Sequence, residues 1–333
     1  MYLTQGRTHS STHIKLHKFY NSGFLYACRV SSLLACVLFL SFCKPKSSPA
    51  LPRDEDPFAY ELEKPDDRYK LPAYLEEISG LSFYGKGKIA CIQDEKATIY
   101  VLNLEQERIV KKYDFGKDAD YEDIAVMNKT AFVLRNDGDI YRIKDFRKKD
   151  RKIKKYETAL REKNDTEGLA FDPLSYSLLI ACKGSPSIEK DKLYEGYKAI
   201  YTFDLEEEKL IEKPLFLIDL DRIDSYKDQN TFSKLSLRVA KRLHLIESES
   251  NFQPSGLAVH PIYGEIYIIS SVGKMLMVLD RHGKIKDVRE LDPFLFRQPE
   301  GICFSPSGDM YISNEGKGGK GYILKFKFHG TPE

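Results

Sequence analysis

Oxygen-bearing side chains recur within a five-residue pattern that the chain uses five times. The second positions of its copies are Ser79, Glu122, Glu167, Ser255 and Glu300. A hard cation such as Ca²⁺ takes about six to eight oxygen ligands, and carboxylates are good ones. If these positions converge, the pattern predicts a Ca²⁺ site. Its ligands would be Glu122, Glu167 and Glu300, with Glu77 and Asp120 beside them.

A second polar set ends the strand that follows each copy: Asp94, Arg135, Lys183, Ser271 and Asn314. Its two cations open alternatives to a metal. Arg135 and Lys183 can pair with Glu122 and Glu167, so that the pattern only holds neighbouring repeats together. A small-ligand or phosphate site lined by Arg135, Lys183, Asp94 and Asn314 is the other alternative. Glutamates crowded at one axis would have raised pKa values unless a cation or hydrogen bonds offset the repulsion.

The spacing of the copies predicts the element that must position these side chains. The third residues of the copies are Gly80, Asp123, Gly168, Gly256 and Gly301. Successive copies lie about 43 to 45 residues apart, apart from one step of about twice that length. Short alternating strands and turns such as Asn136–Asp139 fill each period, as in antiparallel hairpins. The sequence therefore predicts an all-β chain, a single β-propeller of five four-stranded blades.

The double step leaves a sixth blade as the alternative. Residues 221–251 carry apolar side chains at helical spacing and too few strand patterns for a blade. We therefore expect a helical insertion between blades three and four. The last blade offers only three strands, and a propeller must close its ring to avoid unpaired edges. We expect Phe58–Leu62 to pair beside Tyr322–Phe326 as the missing outer strand.

The N-terminal region predicts export and lipidation. An apolar run, Val30–Cys43, follows basic residues and is too short to span a membrane. It ends in Leu40-Ser41-Phe42-Cys43, similar to a bacterial lipobox, although Phe42 replaces the usual small residue. We expect a leader over 1–43 with Cys43 lipidated, a Pro- and Ser-rich tether over 44–57, and a propeller over 58–328. An uncleaved anchor or a plain secretion signal is the alternative.

Charge and cysteine content narrow the function classes. The chain has 52 Lys and Arg against 50 Asp and Glu. This balance argues against a nucleic-acid partner held by a net basic field. Beyond the leader the cysteines are Cys91, Cys182 and Cys303, each in an apolar strand and expected to be a buried free thiol. No P-loop, nucleophile elbow or zinc-protease motif occurs.

The repeated motifs resemble those of the SdiA-regulated (YjiK-like) β-propeller family over about residues 58–328. The matching stretches are Glu77–Ser82, Tyr121–Ala125, Thr166–Ala170, Ala181–Gly184, Pro254–Leu257, Gln298–Ile302 and Tyr311–Lys317. The resemblance implies an extracytoplasmic, commonly membrane-tethered propeller without an established reaction. Some members are linked to a calcium response and called phytase-like, and no catalytic residue can be carried over.

We therefore expect a lipid-anchored binding or scaffolding module of the bacterial cell envelope, periplasmic or surface-exposed. Its ligand would be a protein or a small molecule, with Ca²⁺ at the end of the channel. The alternative is a metal-dependent hydrolase, a phytase-like phosphoesterase or a lactonase. A propeller hosts both kinds of function, so the fold alone does not choose between them.

Overall fold

The structure is a computed structural model that describes residues 58–189, 194–223, 226 and 252–330. These residues belong to the compact unit Asp54–Glu333, and the predicted leader (1–43) and tether (44–57) lie outside the described residues. Twenty strands form five antiparallel sheets of four strands each. The prediction of an all-β propeller with five four-stranded blades is therefore confirmed.

The blades follow the chain, with the innermost strand of each blade first. Blade one contains β2 (Ile78–Phe83), β3 (Lys88–Gln93), β4 (Thr98–Asn103) and β5 (Arg108–Asp114). Blade two contains β6 (Tyr121–Met127), β7 (Thr130–Arg135), β8 (Ile140–Lys144) and β9 (Lys152–Tyr156). Blade three contains β10 (Thr166–Asp172), β11 (Ser177–Cys182), β12 (Tyr197–Asp204) and β13 (Lys209–Asp219). Blade four contains β14 (Pro254–Val259), β15 (Ile266–Ser270), β16 (Met275–Leu279) and β17 (Ile285–Glu290). Blade five contains β18 (Pro299–Phe304), β19 (Met310–Asn314), β20 (Tyr322–Phe326) and β1 (Asp67–Lys70).

An N-terminal strand closes the ring, but it is not the predicted one. β1 pairs antiparallel with β20, with Asp67 opposite Lys325 and Lys70 opposite Tyr322. The predicted closing segment, Phe58–Leu62, instead packs its apolar side chains on the core between blades four and five. An N-terminal segment closes the ring as expected, but the residues predicted to do so were wrong. The apolar side chains of Phe58–Leu62 pack against the core, and their pattern does not indicate strand pairing.

The core consists of five apolar clusters, one between each pair of adjacent blades. Blades five and one, for example, share a cluster that contains Leu81, Cys91, Cys303 and Tyr311. Cys91, Cys182 and Cys303 are buried and free, as predicted. Because each sheet buries both faces against its neighbours, a change at one seam affects two blades.

The predicted helical insertion at 221–251 is not supported by the structure. Of that range only 221–223 and 226 are described: Asp221 and Arg222 complete the 3-10 turn Leu220–Arg222 that follows β13, and Ile223 and Tyr226 have helical backbone. The rest of the range lies outside the described residues. In the described part of the chain, no helix is long and apolar enough to cross a membrane.

Candidate functional site

The five innermost strands pack directly against one another at the propeller axis. A Cβ atom on Gly80 would collide with Asp123 of blade two, and one on Gly256 would collide with the carbonyl oxygen of Glu300 of blade five. Gly301 is similarly crowded by the backbone of Ser79. The glycines of the repeat are therefore needed for close approach of backbones, and they fix the pattern's spacing around the ring.

Asp123 occupies the third position of its copy, where the other four copies of the pattern have glycine. Its side chain is 1% exposed. Oδ2 accepts a hydrogen bond from the backbone N–H of Leu169 in blade three at 2.7 Å, and Oδ1 accepts one from Ile124 at 2.8 Å. The nearby backbone N–H of Leu257 in blade four also favours the charged form of this carboxyl group and lowers its pKa. Burial raises the pKa of Asp123 well above its ordinary range, and these donors oppose that rise.

Serine side chains join blades on the same ring. Ser255 Oγ donates to the carbonyl oxygen of Pro299 at 2.9 Å, from blade four to blade five. Ser313 Oγ donates to the carbonyl oxygen of Ser79 at 2.9 Å, from blade five to blade one. Of the two serines at the second position of the pattern, Ser255 thus joins neighbouring blades through its side chain and Ser79 through its backbone carbonyl.

The glutamates of the repeat lie at one end of the axis, which we call the channel mouth and define by Glu122, Glu167, Lys183, Glu300 and Glu315. Lys183 Nζ lies 2.6 Å from Glu167 Oε1, so the predicted pairing of these two residues is confirmed. Burial alone would lower the pKa of Lys183, but the charges of Glu167, Asp165 and Glu300 raise it. Lys183 is therefore a fixed ammonium inside the mouth.

The carboxyl groups of the mouth have raised pKa values because they are buried beside one another. Burial and the neighbouring Glu167 raise the pKa of Glu122 to about 10. Burial and Glu300 raise that of Glu167 to about 8, against the opposing effect of Lys183. Burial and Glu315 raise that of Glu300 to about 7. Glu122 has the highest value and keeps its proton at neutral pH, whereas Glu300 titrates there.

A second acidic group lies where blade five meets blade one. Burial and the charge of Asp94 raise the pKa of Glu315 to about 7. Burial and the charge of Glu77 raise the pKa of Asp94 to about 6. Asp94 Oδ1 is buried and accepts no hydrogen bond from the described residues, and the same holds for Asn314 Oδ1, which strand alternation places on the other face of blade five, toward blade four. Buried acceptors are nearly always satisfied in proteins, so these two require an explanation.

Arg135 is the predicted site residue that the structure places elsewhere. Its guanidinium pairs with Asp137 at 3.0 Å and Asp139 at 3.5 Å, within its own hairpin. The expected pair with Glu122 is therefore absent, because two nearer carboxylates follow Arg135 in the β7–β8 turn. Asp120, a predicted metal ligand, accepts a hydrogen bond from Asn136 and contributes only its charge to Glu122.

The predicted Ca²⁺ ligands do not form a metal site among the described residues. Among the described residues, no group of three or more His, Cys, Asp or Glu side chains is arranged to hold a metal ion. The predicted ligands Glu77, Asp120, Glu122, Glu167 and Glu300 thus contribute to one acidic region without forming a ready coordination sphere. Calcium binding remains a prediction that would require these side chains to move.

Two residues at the ring, Asp123 and Glu315, were not predicted as site residues from the sequence. Asp123 was used only to measure the repeat spacing, although an acid among four glycines was the available signal. Glu315 directly follows the predicted Asn314, yet it lies outside the five-residue pattern. Its place in the mouth depends on contact between the blades, which the repeat alone does not give.

Comparison with known proteins agrees with this architecture. Residues 60–317 match the sequence model of the SdiA-regulated family. No curated protein sequence matches the chain.

Several solved structures share the fold at low identity. A glutaminyl cyclase from Myxococcus xanthus is 12% identical, with a TM-score of 0.50 over 80% of this chain and 96% of that one. A streptogramin B lyase is 13% identical, with a TM-score of 0.44 over 78% of this chain and 97% of that one. A PQQ-bound aldose sugar dehydrogenase from Streptomyces coelicolor is 11% identical, with a TM-score of 0.46 over 79% and 97%. At 12% identity the similarity to the glutaminyl cyclase indicates the fold alone.

Proposed function

Because the chain belongs to the SdiA-regulated family of β-propellers, we propose that it is a binding module of the bacterial cell envelope. In this proposal Cys43 carries the lipid, and the channel mouth binds a cationic group. The ligand is either a metal ion such as Ca²⁺ or an organic cation. We do not expect a nucleic acid to bind at the acidic mouth, because the carboxylates would repel its phosphates.

One observation carries the proposal: buried carboxyl groups from different blades raise one another's pKa values at a single place. Lys274 and Lys317 lower the pKa values of Glu300 and Glu315, yet both remain near 7. A bound cation would favour the ionised carboxylates and relieve this repulsion. The mouth therefore has an electrostatic reason to bind positive charge, and more so as the pH rises.

Thermal unfolding of the full-length protein tests this. Ca²⁺, Mg²⁺ or butylammonium would be added at constant ionic strength, at about pH 5 and about pH 8, on either side of the pKa values of about 7 of Glu300 and Glu315. We expect at least one cation to raise the unfolding midpoint, with a larger rise at the higher pH because Glu300 and Glu315 are then ionised. A cation that binds the folded state alone stabilises it by mass action.

The matched variants separate this site from general surface charge. Glu300→Gln with Glu315→Gln should abolish the cation-induced rise. Glu206→Gln with Glu207→Gln removes the same number of charges from an exposed hairpin and should leave the rise intact. No midpoint change with any of the three cations at the higher pH would refute the proposed function.

Lipid anchoring has its own test. The protein would be expressed in bacteria fed an alkyne-labelled fatty acid, and the label followed on the full chain and on Cys43→Ala. We expect label and membrane association in the first and neither in the second. Labelling that survives Cys43→Ala would contradict the assignment.

A hydrolase is the second candidate. The observation that favours it is that Glu300 and Glu315 have pKa values of about 7, where carboxyl groups can both donate and accept protons. Phosphomonoesters and lactones would be offered with and without Ca²⁺. Turnover lost in Glu300→Gln would favour the phosphoesterase or lactonase, whereas cation binding without turnover favours the binding module.

A further inference from the structure

A cleft of about 420 Å³ lies on blade one, on the face that turns toward blade two. We call it the outer cleft. Two valines and six aromatic or polar residues line it, the latter being Tyr84, Lys88, Asn103, Gln106, Lys111 and Tyr113. We infer that the outer cleft binds an acidic saccharide, a chain of sugars that carries carboxylate or sulfate groups. This site is separate from the channel mouth and goes beyond the proposed function.

Strand alternation directs these side chains to one face. Ile99 of β4 packs in the apolar cluster between blades one and two, together with Tyr84 and Tyr113. Asn103 follows Ile99 by four residues on β4 and therefore points to the same side. Lys111 precedes Tyr113 by two residues on β5 and also shares its face. The outer cleft is thus a regular product of the blade.

The outer cleft and the channel mouth use opposite ends of the blades. The mouth residues Lys183 and Glu315 directly follow the second strands of blades three and five. The second strand of blade one is β3, and Lys88 is its first residue, at the other end. Asn103 ends β4 directly opposite Lys88. A ligand in the outer cleft therefore contacts a different set of side chains from a cation at the mouth.

Positive charge gathers at the outer cleft without carboxylates to neutralise it. Lys88 and Lys111 belong to the lining, and Arg147 and Arg151 lie over the two tyrosine rings. In the described part of the chain, none of these four cations forms an ion pair. The stretch 147–152 contains five basic residues and one acid, although the whole chain is nearly neutral. Such a local excess of positive charge attracts an anionic ligand.

The aromatic side chains position the arginines. Tyr84 and Tyr113 pack edge-on against the buried ring of Phe146 from blade two, with ring centres 5.4 and 5.6 Å apart. The guanidinium carbon of Arg147 lies 5.6 Å from the ring centre of Tyr84, and that of Arg151 lies 5.8 Å from the ring centre of Tyr113. Arg151 Nε also donates to the carbonyl oxygen of Phe146 at 3.0 Å. The basic side of the cleft is thus anchored to a packed aromatic group.

A sugar chain with acidic groups matches this mixture of side chains. The apolar face of a sugar ring packs on aromatic rings, and its hydroxyl groups hydrogen-bond with side-chain amides. Asn103 Oδ1 accepts the backbone N–H of Gln106 at 2.9 Å, and no described residue accepts a hydrogen bond from Asn103 Nδ2. The cleft volume lies within the range of small-ligand sites, about 300–1,000 Å³. Carboxylate or sulfate groups on the sugars would pair with the lysines and arginines.

Titration calorimetry with the full-length protein tests the ligand class by comparing short chains of different chemistry. Tetragalacturonate and a κ-carrageenan tetrasaccharide supply sugars with carboxylate or sulfate groups. Maltotetraose supplies neutral sugars, and tetraglutamate and a thymidine tetranucleotide supply negative charge without a sugar chain of this kind. At constant pH and ionic strength, we expect at least one acidic tetrasaccharide to bind about tenfold or more tightly than all three others. The one that binds identifies the acidic group.

Two variants assign the binding to the outer cleft. Lys88→Gln/Lys111→Gln removes two unpaired cations and keeps the rings, and Tyr113→Leu removes a ring and keeps the charge. Each should lower the affinity for the acidic tetrasaccharide about tenfold or more. Lys213→Gln/Lys284→Gln is the matched control for the lysine pair, because it removes the same charge from exposed positions on blades three and four. It should leave the affinity unchanged.

Several outcomes would overturn the inference. Binding of tetraglutamate or the tetranucleotide as tight as that of the acidic tetrasaccharides would mean that the cleft selects charge or a nucleic acid, and equal binding of maltotetraose would mean that charge has no role. Wild-type affinity in Lys88→Gln/Lys111→Gln or in Tyr113→Leu would place the saccharide elsewhere. No binding of either acidic tetrasaccharide would also overturn it. The cation-induced rise in the unfolding midpoint is a separate measurement, so failure of the outer cleft and failure of the proposed function are distinguished.

Discussion

Replacing Asp123 by alanine should destabilise the propeller more than the loss of any exposed aspartate. Its carboxyl accepts backbone N–H bonds from Ile124 and from Leu169 of the next blade. After the substitution these donors have no acceptor, and Gly80 packs closely against the other side of residue 123. No water-filled surface is nearby to replace the lost acceptor, since Asp123 is 1% exposed.

The magnitude follows from the number of orphaned donors. Each buried donor left without a partner costs about 1–3 kcal/mol. With the donors of Ile124 and Leu169 both left unpartnered, Asp123→Ala should lower the free energy of unfolding by about 2–6 kcal/mol, a large part of the stability of a typical domain. The cost of burying the carboxyl, visible in its raised pKa, places the result toward the lower end.

Asp204→Ala is the matched control for this measurement. Asp204 Oδ1 also accepts two backbone N–H bonds, from Glu206 and Glu207, but in an exposed hairpin. Water can replace that acceptor, so we expect a loss below about 1 kcal/mol. Both variants would be unfolded in urea at neutral pH and compared by the free energy of unfolding.

Equal losses in Asp123→Ala and Asp204→Ala would refute the reasoning, because burial is the feature that separates them. A stabilised Asp123→Ala would refute it more strongly. It would mean that desolvation of the carboxyl outweighs its hydrogen bonds to Ile124 and Leu169.

Three further outcomes follow from the same structure. In urea unfolding, Glu122→Gln should stabilise the protein by about 2–3 kcal/mol at pH 7 and have no effect near pH 4. Burial raises the pKa of Glu122 to about 10 in the folded protein, so keeping this carboxyl group neutral costs folding free energy once the pH exceeds its ordinary pKa. His260 should give the opposite pH dependence. Burial lowers its pKa to about 4, so the free energy of unfolding should fall by about 3 kcal/mol as the pH drops from about 6.5 through 4. The same titration of His260→Asn should not show this loss. Deleting the closing strand Asp67–Lys70 should abolish cooperative thermal unfolding because it exposes the edge of β20, and an unchanged melting curve would contradict closure by β1.

The structure gives a reason why His260 resists protonation. Its Nδ1 accepts backbone N–H bonds from Ile262 and Tyr263, at 3.2 and 3.1 Å, and Nε2 lies 2.8 Å from the Tyr60 hydroxyl. That hydroxyl donates to the carbonyl oxygen of Gly308 at 2.6 Å, so Nε2–H is the donor to Tyr60. Protonation at Nδ1 would break both backbone bonds, and this links the pH effect to the anchoring of residues 58–62.

The blade architecture was accessible from sequence because its signals are local. Alternating apolar residues, turns such as Asn136–Asp139 and a repeat of nearly constant spacing each depend on neighbours in the chain. Arg135 was also readable in principle, since Asp137 and Asp139 follow within one turn. Lys183 is followed by Gly184 and Ser185, which offer no carboxylate, and it reaches Glu167 instead.

The closing strand was decided by tertiary structure. Phe58–Leu62 carries the stronger apolar pattern, yet Asp67–Lys70 makes the strand, with Tyr69 as its one buried residue. Pairing with β20 uses backbone groups, which every sequence possesses, so apolar periodicity does not reveal it. The position of the segment around the ring determines which residues meet the free edge.

The chain's own sequence determined which residue types stand at the ends of the inner strands, and therefore that acids from several blades would meet. Only the tertiary structure decided their partners. Glu167 pairs with Lys183, and burial beside Glu167 raises the pKa of Glu122. The physical reason is that burial and charge repulsion depend on distances across blades, and residues far apart in sequence acquire those distances only when the ring closes.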